Sequence, residues 1–307
     1  MSLSHQTPDG TGSPLLSIIV PSFNQGAFIR RTIESCLEQD YRPIEIVVVD
    51  GASKDGTLDV LRSFDGKPEV RWVSEPDSGV VEAVNKGFRL AKGVFAAIQS
   101  SDDAYLPGAF RRAIPELASD ESLGFVFGDI VKIDAEGREI SRAVLEPFSP
   151  EAVLSVKTWI PQPSCFFRLD LARALGGWRE EVPYAADTDL WFRMMLKARG
   201  RKIDAFLAQR RVHGGQRDKQ GARIIRDYTQ TVKDLFDRSG APPKLRPAAE
   251  AGVLLMMNRY GRDETEEVRS ARWAQAVSLY PPLRGPRRSL AARAFAALRR
   301  LAGRVRP

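Results

Sequence analysis

Two adjacent carboxylates, Asp102 and Asp103, follow a short apolar run, Val94 to Ile98, and two small hydroxyl residues, Ser100 and Ser101. The run reads as a buried strand, and in an open α/β sheet ligands sit beyond the carboxyl ends of strands. Neighbouring acids there repel each other and need a countercharge, from basic side chains or from a cation. Hard divalent ions such as Mg²⁺ take oxygen ligands, keep several waters and complete their shells with phosphates. The chemistry this suggests is a metal–phosphate site. A solvated turn is the other reading, because Ser and Asp are ordinary turn residues. A second acid pair, Asp187 and Asp189, stands just ahead of an apolar helical segment, Leu190 to Lys197. Asp189 directly precedes that helix and is placed to cap it, accepting from its free N–H groups. Asp187 would then project from the preceding loop.

The elements that must position these groups follow from periodicity. Leu16 to Val20 and the β-branched run Ile44 to Val49, which ends at Asp50, read as buried parallel strands. Val70 to Val73 makes a third. Helices are expected over Ala27 to Glu38, from Leu58 to Arg62 and over Val80 to Ala91, closed by Gly93. This alternation predicts a parallel, three-layered α/β sheet. Right-handed crossovers then bring three polar strand ends to one edge: Ser22 to Gln25, Asp50 to Thr57, and Ser100 to Asp103. Such an edge is a nucleotide pocket by geometry. Neither a G-x-G-x-x-G nor a G-K-[ST] follows the first strand, which disfavours dinucleotide-binding and P-loop enzymes. Further on, Leu123 to Ile133 and Arg138 to Val144 read as a hairpin. Cys165 to Phe167 reads as an aromatic strand, Ala174 to Trp178 as a turn, and Ile203 to Val212 as a strand that ends before His213. Helices are expected at Ala222–Arg238 and Ala248–Tyr260.

Two distant cysteines, Cys36 and Cys165, form neither a disulfide framework nor a metal-ligand spacing, which fits a reducing compartment. No stretch approaches the ~20 apolar residues of a membrane-spanning helix, and the polar start lacks the apolar core of a signal peptide. The net charge of +7 is local. Residues 284–307 carry eight arginines and no acid, so without them the chain stands at −1. Nucleic-acid binding is therefore not expected of the body. From Pro286, the positions Leu290, Ala294, Ala297, Leu298, Leu301 and Val305 share one helical face, with Arg293, Arg299, Arg300 and Arg304 beside or opposite it. A basic amphipathic helix of this kind suits an anionic membrane surface; a solvated, partly disordered tail and nonspecific nucleic-acid contact are the other readings.

Taken in order, the motifs resemble those of the bacterial family 2 glycosyltransferases, inverting enzymes of the GT-A fold, and most closely the polysaccharide and lipopolysaccharide branch. They are VPSFNQG at 20–26, VVVDGASKDGT at 47–57, SEPDSGVVEAVNKG at 74–87, AKG at 91–93, SSDDAY at 100–105, FGD at 127–129, GGW at 176–178, DTDLWFR at 187–193 and RVH at 211–213. Two places depart from the family pattern. Gln99 and Ser100 replace the common Leu-Asn ahead of Ser-Asp-Asp, and Ala186 stands where a Glu often precedes the catalytic Asp.

The resemblance implies a flexible start (1–14), a GT-A catalytic domain (15–217), a helical extension (218–282) and a basic tail (283–307). It implies transfer of a sugar from a nucleoside diphosphate, UDP foremost, to a glycan or lipid-linked acceptor. It further implies a Mn²⁺ or Mg²⁺ ion and a cytoplasmic location, to which the tail adds peripheral attachment at the inner face of the cytoplasmic membrane as an option. Asp103 is the expected metal ligand, with His213 as a second candidate, and Asp102 the expected acceptor of a ribose hydroxyl, beside Ser101. Asp50 is expected to read the base, or else to cap the turn after it. Pro21, Ser22, Phe23 and Asn24 are expected around the base, with Phe23 packed rather than stacked. Asp77, Asn85, Lys86 and Arg211 are the remaining donor contacts, and Trp178 and Asp189 the acceptor contacts. Asp187 is the expected base. Two rival classes are disfavoured. A sugar-1-phosphate nucleotidyltransferase needs a Gly-rich basic loop where Pro21 to Gly26 stands, and a silent scaffold has no need of Asp50, Asp102, Asp103 and Asp187.

Overall fold

The structure is a computed structural model that describes residues 12–214, 220–261 and 264–284. The N-terminal half alternates as its periodicity requires: β1 (Leu16–Ser22), α1 (Ile29–Leu37), β2 (Ile44–Asp50), α2 (Thr57–Arg62), β3 (Val70–Ser74), α3 (Val80–Leu90) and β4 (Phe95–Ile98). After it come β5 (Ala104–Tyr105), α4 (Ala109–Ser119), β6 (Leu123–Ile133), β7 (Glu139–Ala143), α5 (Pro150–Leu154), β8 (Cys165–Arg168), α6 (Leu169–Ala174), α7 (Ala186–Met195) and β9 (Arg199–Arg211). Three helices close the described chain: α8 (Gly221–Asp237), α9 (Arg246–Tyr260) and α10 (Glu266–Leu279).

The strands form one sheet in the order β3-β2-β1-β4-β8-β6-β9-β5, with β7 paired to β6. The expected parallel arrangement holds for β3, β2, β1 and β4. Beyond β4 the sheet becomes mixed. Strand β8 runs antiparallel to both β4 and β6, whereas β6 and β9 are parallel. The reversal follows from local chemistry. Pro161-Gln162-Pro163 turns the chain into β8, and Gln162 fixes that turn by donating from Nε2 to the Ile98 carbonyl at 2.7 Å. The hairpin of β6 and β7 forms as its sequence predicts.

Side chains alternate between the two faces of a strand, and so the sheet has two cores. Ile19, Ile98, Phe125, Phe127 and Phe167 enter one, with α3, α7, α8 and α9. Ile18, Val20, Ala97, Val126 and Phe166 enter the other, with α1 and α4. Tyr228, Val232 and Leu235 of α8 are buried in the first core. At roughly 1.5–3 kcal/mol for each fully buried large apolar side chain, this docks the helical extension firmly onto the α/β body. Among the described residues no helix is long and apolar enough to cross a membrane. The amphipathic tail, from 285 on, lies outside the described residues.

Candidate functional site

The carboxyl ends of β1, β2 and β4 open onto one cavity of about 1080 Å³. Parallel register aligns them: Ser22 pairs with Asp50, and Asp50 with Ser74. Pro21, Ser22 and Phe23 line the cavity, as do Gly51, Asp77, Ser101, Asp102, Asp103, Trp178, Asp187 and His213. Phe23 differs from expectation. It is 59% exposed, an open ring at the cavity wall rather than a packed one. The Ser22 hydroxyl is buried without a partner, a polar atom on the cavity wall that a ligand oxygen would satisfy.

The acid turn is gripped from two sides. The Thr32 hydroxyl of α1 donates to the carbonyls of Ser101 and Asp103, at 2.9 and 2.7 Å. From β9, the backbone N–H of Arg211 donates to Asp103 Oδ1 at 2.7 Å. His213 Nε2 lies 3.0 Å from Asp102 Oδ2, with its ring 4.9 Å from that of Phe28. Burial pushes the Asp103 carboxyl well above the usual carboxylate range, and the Asp102 charge adds to the shift. A cation at the turn would reverse that cost. Among the described residues no three His, Cys, Asp or Glu side chains converge as a ready-made cage. A metal held through substrate phosphates needs only one or two carboxylates and keeps its waters. The residues present fit an ion of that kind, with Asp103 as ligand and Asp102 and His213 beside it.

Several expected donor contacts are structural instead. Asp50 is fully buried. Its carboxylate accepts from the Ser53 backbone N–H (2.9 Å), the Ser53 hydroxyl (2.5 Å) and the Ser74 hydroxyl (2.7 Å). It therefore caps the turn after β2, and Gly51 reaches the cavity in its stead. Asn24, held at a left-handed φ of 54°, ties the first loop to the second: its N–H donates to Ser53 Oγ and its Oδ1 accepts from Lys54 N–H. Asn85 spends both ends of its amide on the backbone of Trp178, at 2.8 Å each. Lys86 is paired with Glu75. The Arg211 guanidinium, buried, donates to the carbonyls of Asp102, Asp134 and Ala135 and lies over Phe28. It holds loops together and does not line the cavity. Its neighbour Arg210 does, next to Lys132, its register partner on β6. Sequence reasoning passed over Arg210, Lys132 and Gln162. Strand alternation was the signal for the first, since two consecutive arginines on a strand face opposite ways.

The second acid pair separates in the opposite way to the helix-cap expectation. Helix α7 begins at Ala186, so Asp187 lies in its first turn, on the cavity wall, and not in a loop. Its Oδ1 accepts from the Thr188 N–H at 2.7 Å. Asp189 stands four residues past the N-cap position, Ala185, and its backbone N–H already bonds the Ala185 carbonyl. Its buried carboxylate pairs with Arg179 and Arg193. Arg193 also donates to the carbonyls of Leu175 and Gly177, and Arg179 reaches Asp234 of α8 at 3.2 Å. Asp189 thus locks α7 to the Gly176-Gly177-Trp178 turn and to α8, away from the acceptor position expected of it. Both cysteines are chemically quiet. Burial pushes the Cys36 thiol up to about 12 and Cys165 well above its ordinary value, far from thiolate chemistry.

Residues 17–175 match the family described as "Glycosyl transferase family 2". Chondroitin synthase of Escherichia coli is 31% identical over 207 residues, which cover 66% of this chain and 29% of that protein. The chain therefore spans under a third of that relative's length. In fold it is similar to the crystal structure of S. aureus TarS 1-349 in complex with UDP-GlcNAc. There the TM-score is 0.68 at 16% identity, over 85% of this chain and 79% of that one. It is also similar to the mannosyltransferase PcManGT from Pyrobaculum calidifontis, in complex with GDP-Man and Mn2+. That match has a TM-score of 0.64 at 24% identity, over 98% of this chain and 84% of the other. These likenesses bear out the expected GT-A fold.

Proposed function

The chain belongs to glycosyl transferase family 2, whose match spans more than half of it, and on that premise we propose that it transfers a sugar from a nucleoside-diphosphate donor to an acceptor hydroxyl with inversion. The observation that carries this is the meeting of the Asp102-Asp103 turn and Asp187 on one cavity, from different elements. The reaction breaks the bond between the anomeric carbon and the diphosphate oxygen and forms one to the acceptor oxygen. Asp187 takes the acceptor's proton, the role of a general base within hydrogen-bond reach. Pro21, Ser22, Phe23 and Asp77 bound the donor end, and Ser101 and Asp102 the side toward the ribose. Lys132 and Arg210 supply positive charge for a diphosphate, which guanidinium and ammonium groups pair well. Asp103, with His213 near it, would hold Mg²⁺ or Mn²⁺. When bound, that ion offsets the charge on the departing diphosphate.

The donor we favour is a UDP-sugar and the acceptor a growing glycan or a lipid-linked sugar in cell-surface polysaccharide assembly. The relative that makes chondroitin and the structure with UDP-GlcNAc support both choices. The arginine-rich tail supports peripheral attachment to an anionic membrane face. The test is nucleotide release from a panel of UDP-, GDP- and dTDP-sugars, with Mn²⁺ and with a chelator. Release of UDP that requires Mn²⁺ is expected. Failure of every donor to release its nucleotide, with or without metal, would contradict the proposal.

A further inference from the structure

The cavity does not end at Asp187. Its lining also takes in Val153, Val156, Trp159 and Ile160 and, from α8 and α9, Ile224, Tyr228, Met256, Arg259 and Tyr260, a lobe held together by the packing of Val156, Trp159 and Met256 on one core and by Arg259 against Trp159. These helices lie beyond the residues that match the family. Val156 lines the lobe at a left-handed φ of 58°. A β-branched residue rarely adopts that conformation, and such strain clusters at ligand sites.

The wall suits no bare sugar. Val153, Val156, Ile160, Ile224 and Met256 offer hydroxyl groups nothing to bond to, and burying a hydroxyl unbonded is costly. An apolar chain gains from the same surface. The charged feature of the lobe is Arg259, whose guanidinium lies 5.7 Å over Trp159 and 5.4 Å over Tyr260. Among the described residues no carboxylate is paired with it. A second guanidinium, that of Arg223, lies 5.5 Å over Tyr184, which also lines the cavity, and donates to its hydroxyl at 2.8 Å. Cations held on ring faces are preorganised for oxyanions. The acids on the cavity wall, Asp77, Asp102, Asp103, Glu180 and Asp187, come from the strand-end loops, from the segment that leads into α7 and from the first turn of α7.

We infer that this lobe receives the substituent borne by the acceptor sugar, and that the substituent is an apolar chain joined through an anionic group, phosphoryl or carboxylate, that meets Arg259. The inference takes from the proposed function only that a hydroxyl-bearing acceptor reaches Asp187. The apolar chain lies along Met256, Ile224 and Val156, and the anion sits at the aromatic edge of Trp159 and Tyr260. The helical extension is then the part of the chain that chooses the acceptor.

Calorimetric titration of the full chain tests this without glycosyl transfer. The probes are octyl phosphate below its micellar concentration, octanoate, octyl glucoside and inorganic phosphate. Octyl phosphate or octanoate is expected to bind at least tenfold tighter than the neutral glucoside and the inorganic ion. Arg259→Gln should weaken that binding at least fivefold, Met256→Glu likewise, and neither should alter UDP affinity. The tail, retained in every variant, cannot produce that difference. Equal affinity for all four probes, or undiminished binding by both variants, would overturn the inference. Absence of UDP binding by the unaltered chain would count against the glycosyl-transfer reading and leave the result on the lobe standing.

Discussion

At the scale of single residues, the three carboxylates Asp103, Asp187 and Asp189 answer to different physics. Burial, with Asp102 next to it, raises Asp103 above its ordinary 3.8. A carboxyl whose folded pKa exceeds its unfolded one binds more protons when folded. Stability therefore falls as pH rises through the window from 3.8 to the raised value, and is lowest above it. Asp103→Asn keeps an acceptor for the Arg211 N–H and removes the buried charge. In the metal-free chain at neutral pH it should raise Tm by roughly 1–2 °C, the effect of about 1 kcal/mol in a chain of 307 residues. The same variant should lose the further rise that UDP with Mn²⁺ gives the unaltered chain. A lowered Tm without metal would show that the charge is not costly. Asp189 is the converse case. As a helix cap it would contribute about 1 kcal/mol. As the partner of the buried Arg193 and the partly buried Arg179 its loss should cost about 3–5 kcal/mol, because the Arg193 charge stays buried without its carboxylate. Urea unfolding of Asp189→Ala distinguishes the two values.

At the scale of elements, the turn between α6 and α7 depends on its glycines in two ways. Gly176 and Gly177 both have left-handed φ, 82° and 70°. A Cβ on Gly176 would meet nothing within 4 Å, whereas one on Gly177 would stand 2.4 Å from Asn85 Oδ1. Gly176→Ala should therefore cost only backbone strain, about 1–3 kcal/mol. Gly177→Ala should cost more, because it also breaks the Asn85 clamp on Trp178. Thermal melts of the two variants, compared directly, check the order. The contact behind it joins residues 93 apart in sequence, which no local pattern announces. What was legible is local: short apolar runs that end at polar loops marked β1, β2 and β4 and placed those loops at one edge. What was not legible is contact between distant elements. Strand β9 begins at Arg199, four residues ahead of the expected start, and its pairing with β6 shifts register near Gly128 and Asp129. Which of Arg210 and Arg211 faces the cavity is settled by that pairing. Of the two readings of Asp50, base reader or turn cap, the hydrogen bonds favour the cap for a related reason, since one partner, Ser74, arrives from another strand.

At the scale of the whole molecule, the proposed function assigns binding and chemistry to different parts: the ends of β1, β2 and β4 make the donor wall, α7 brings Asp187, and α8 and α9 complete the far lobe. The proposed attachment to a membrane is assigned to segment 285–307 and is expected to follow its charge. The full chain should float with vesicles that contain phosphatidylglycerol, and a chain that ends at Pro282 should not; equal flotation would remove the tail from that role. The division between donor wall and α7 is the central claim, and one paired measurement tests it. UDP affinity in the presence of Mn²⁺ and turnover of the donor with acceptor are determined for Asp187→Asn and for the unaltered chain. Affinity is expected to stay within a few-fold while turnover falls by at least ~10², the low end for loss of a general base. Turnover that survives in Asp187→Asn, or nucleotide affinity that falls together with it, would contradict the assignment of Asp187 as the base.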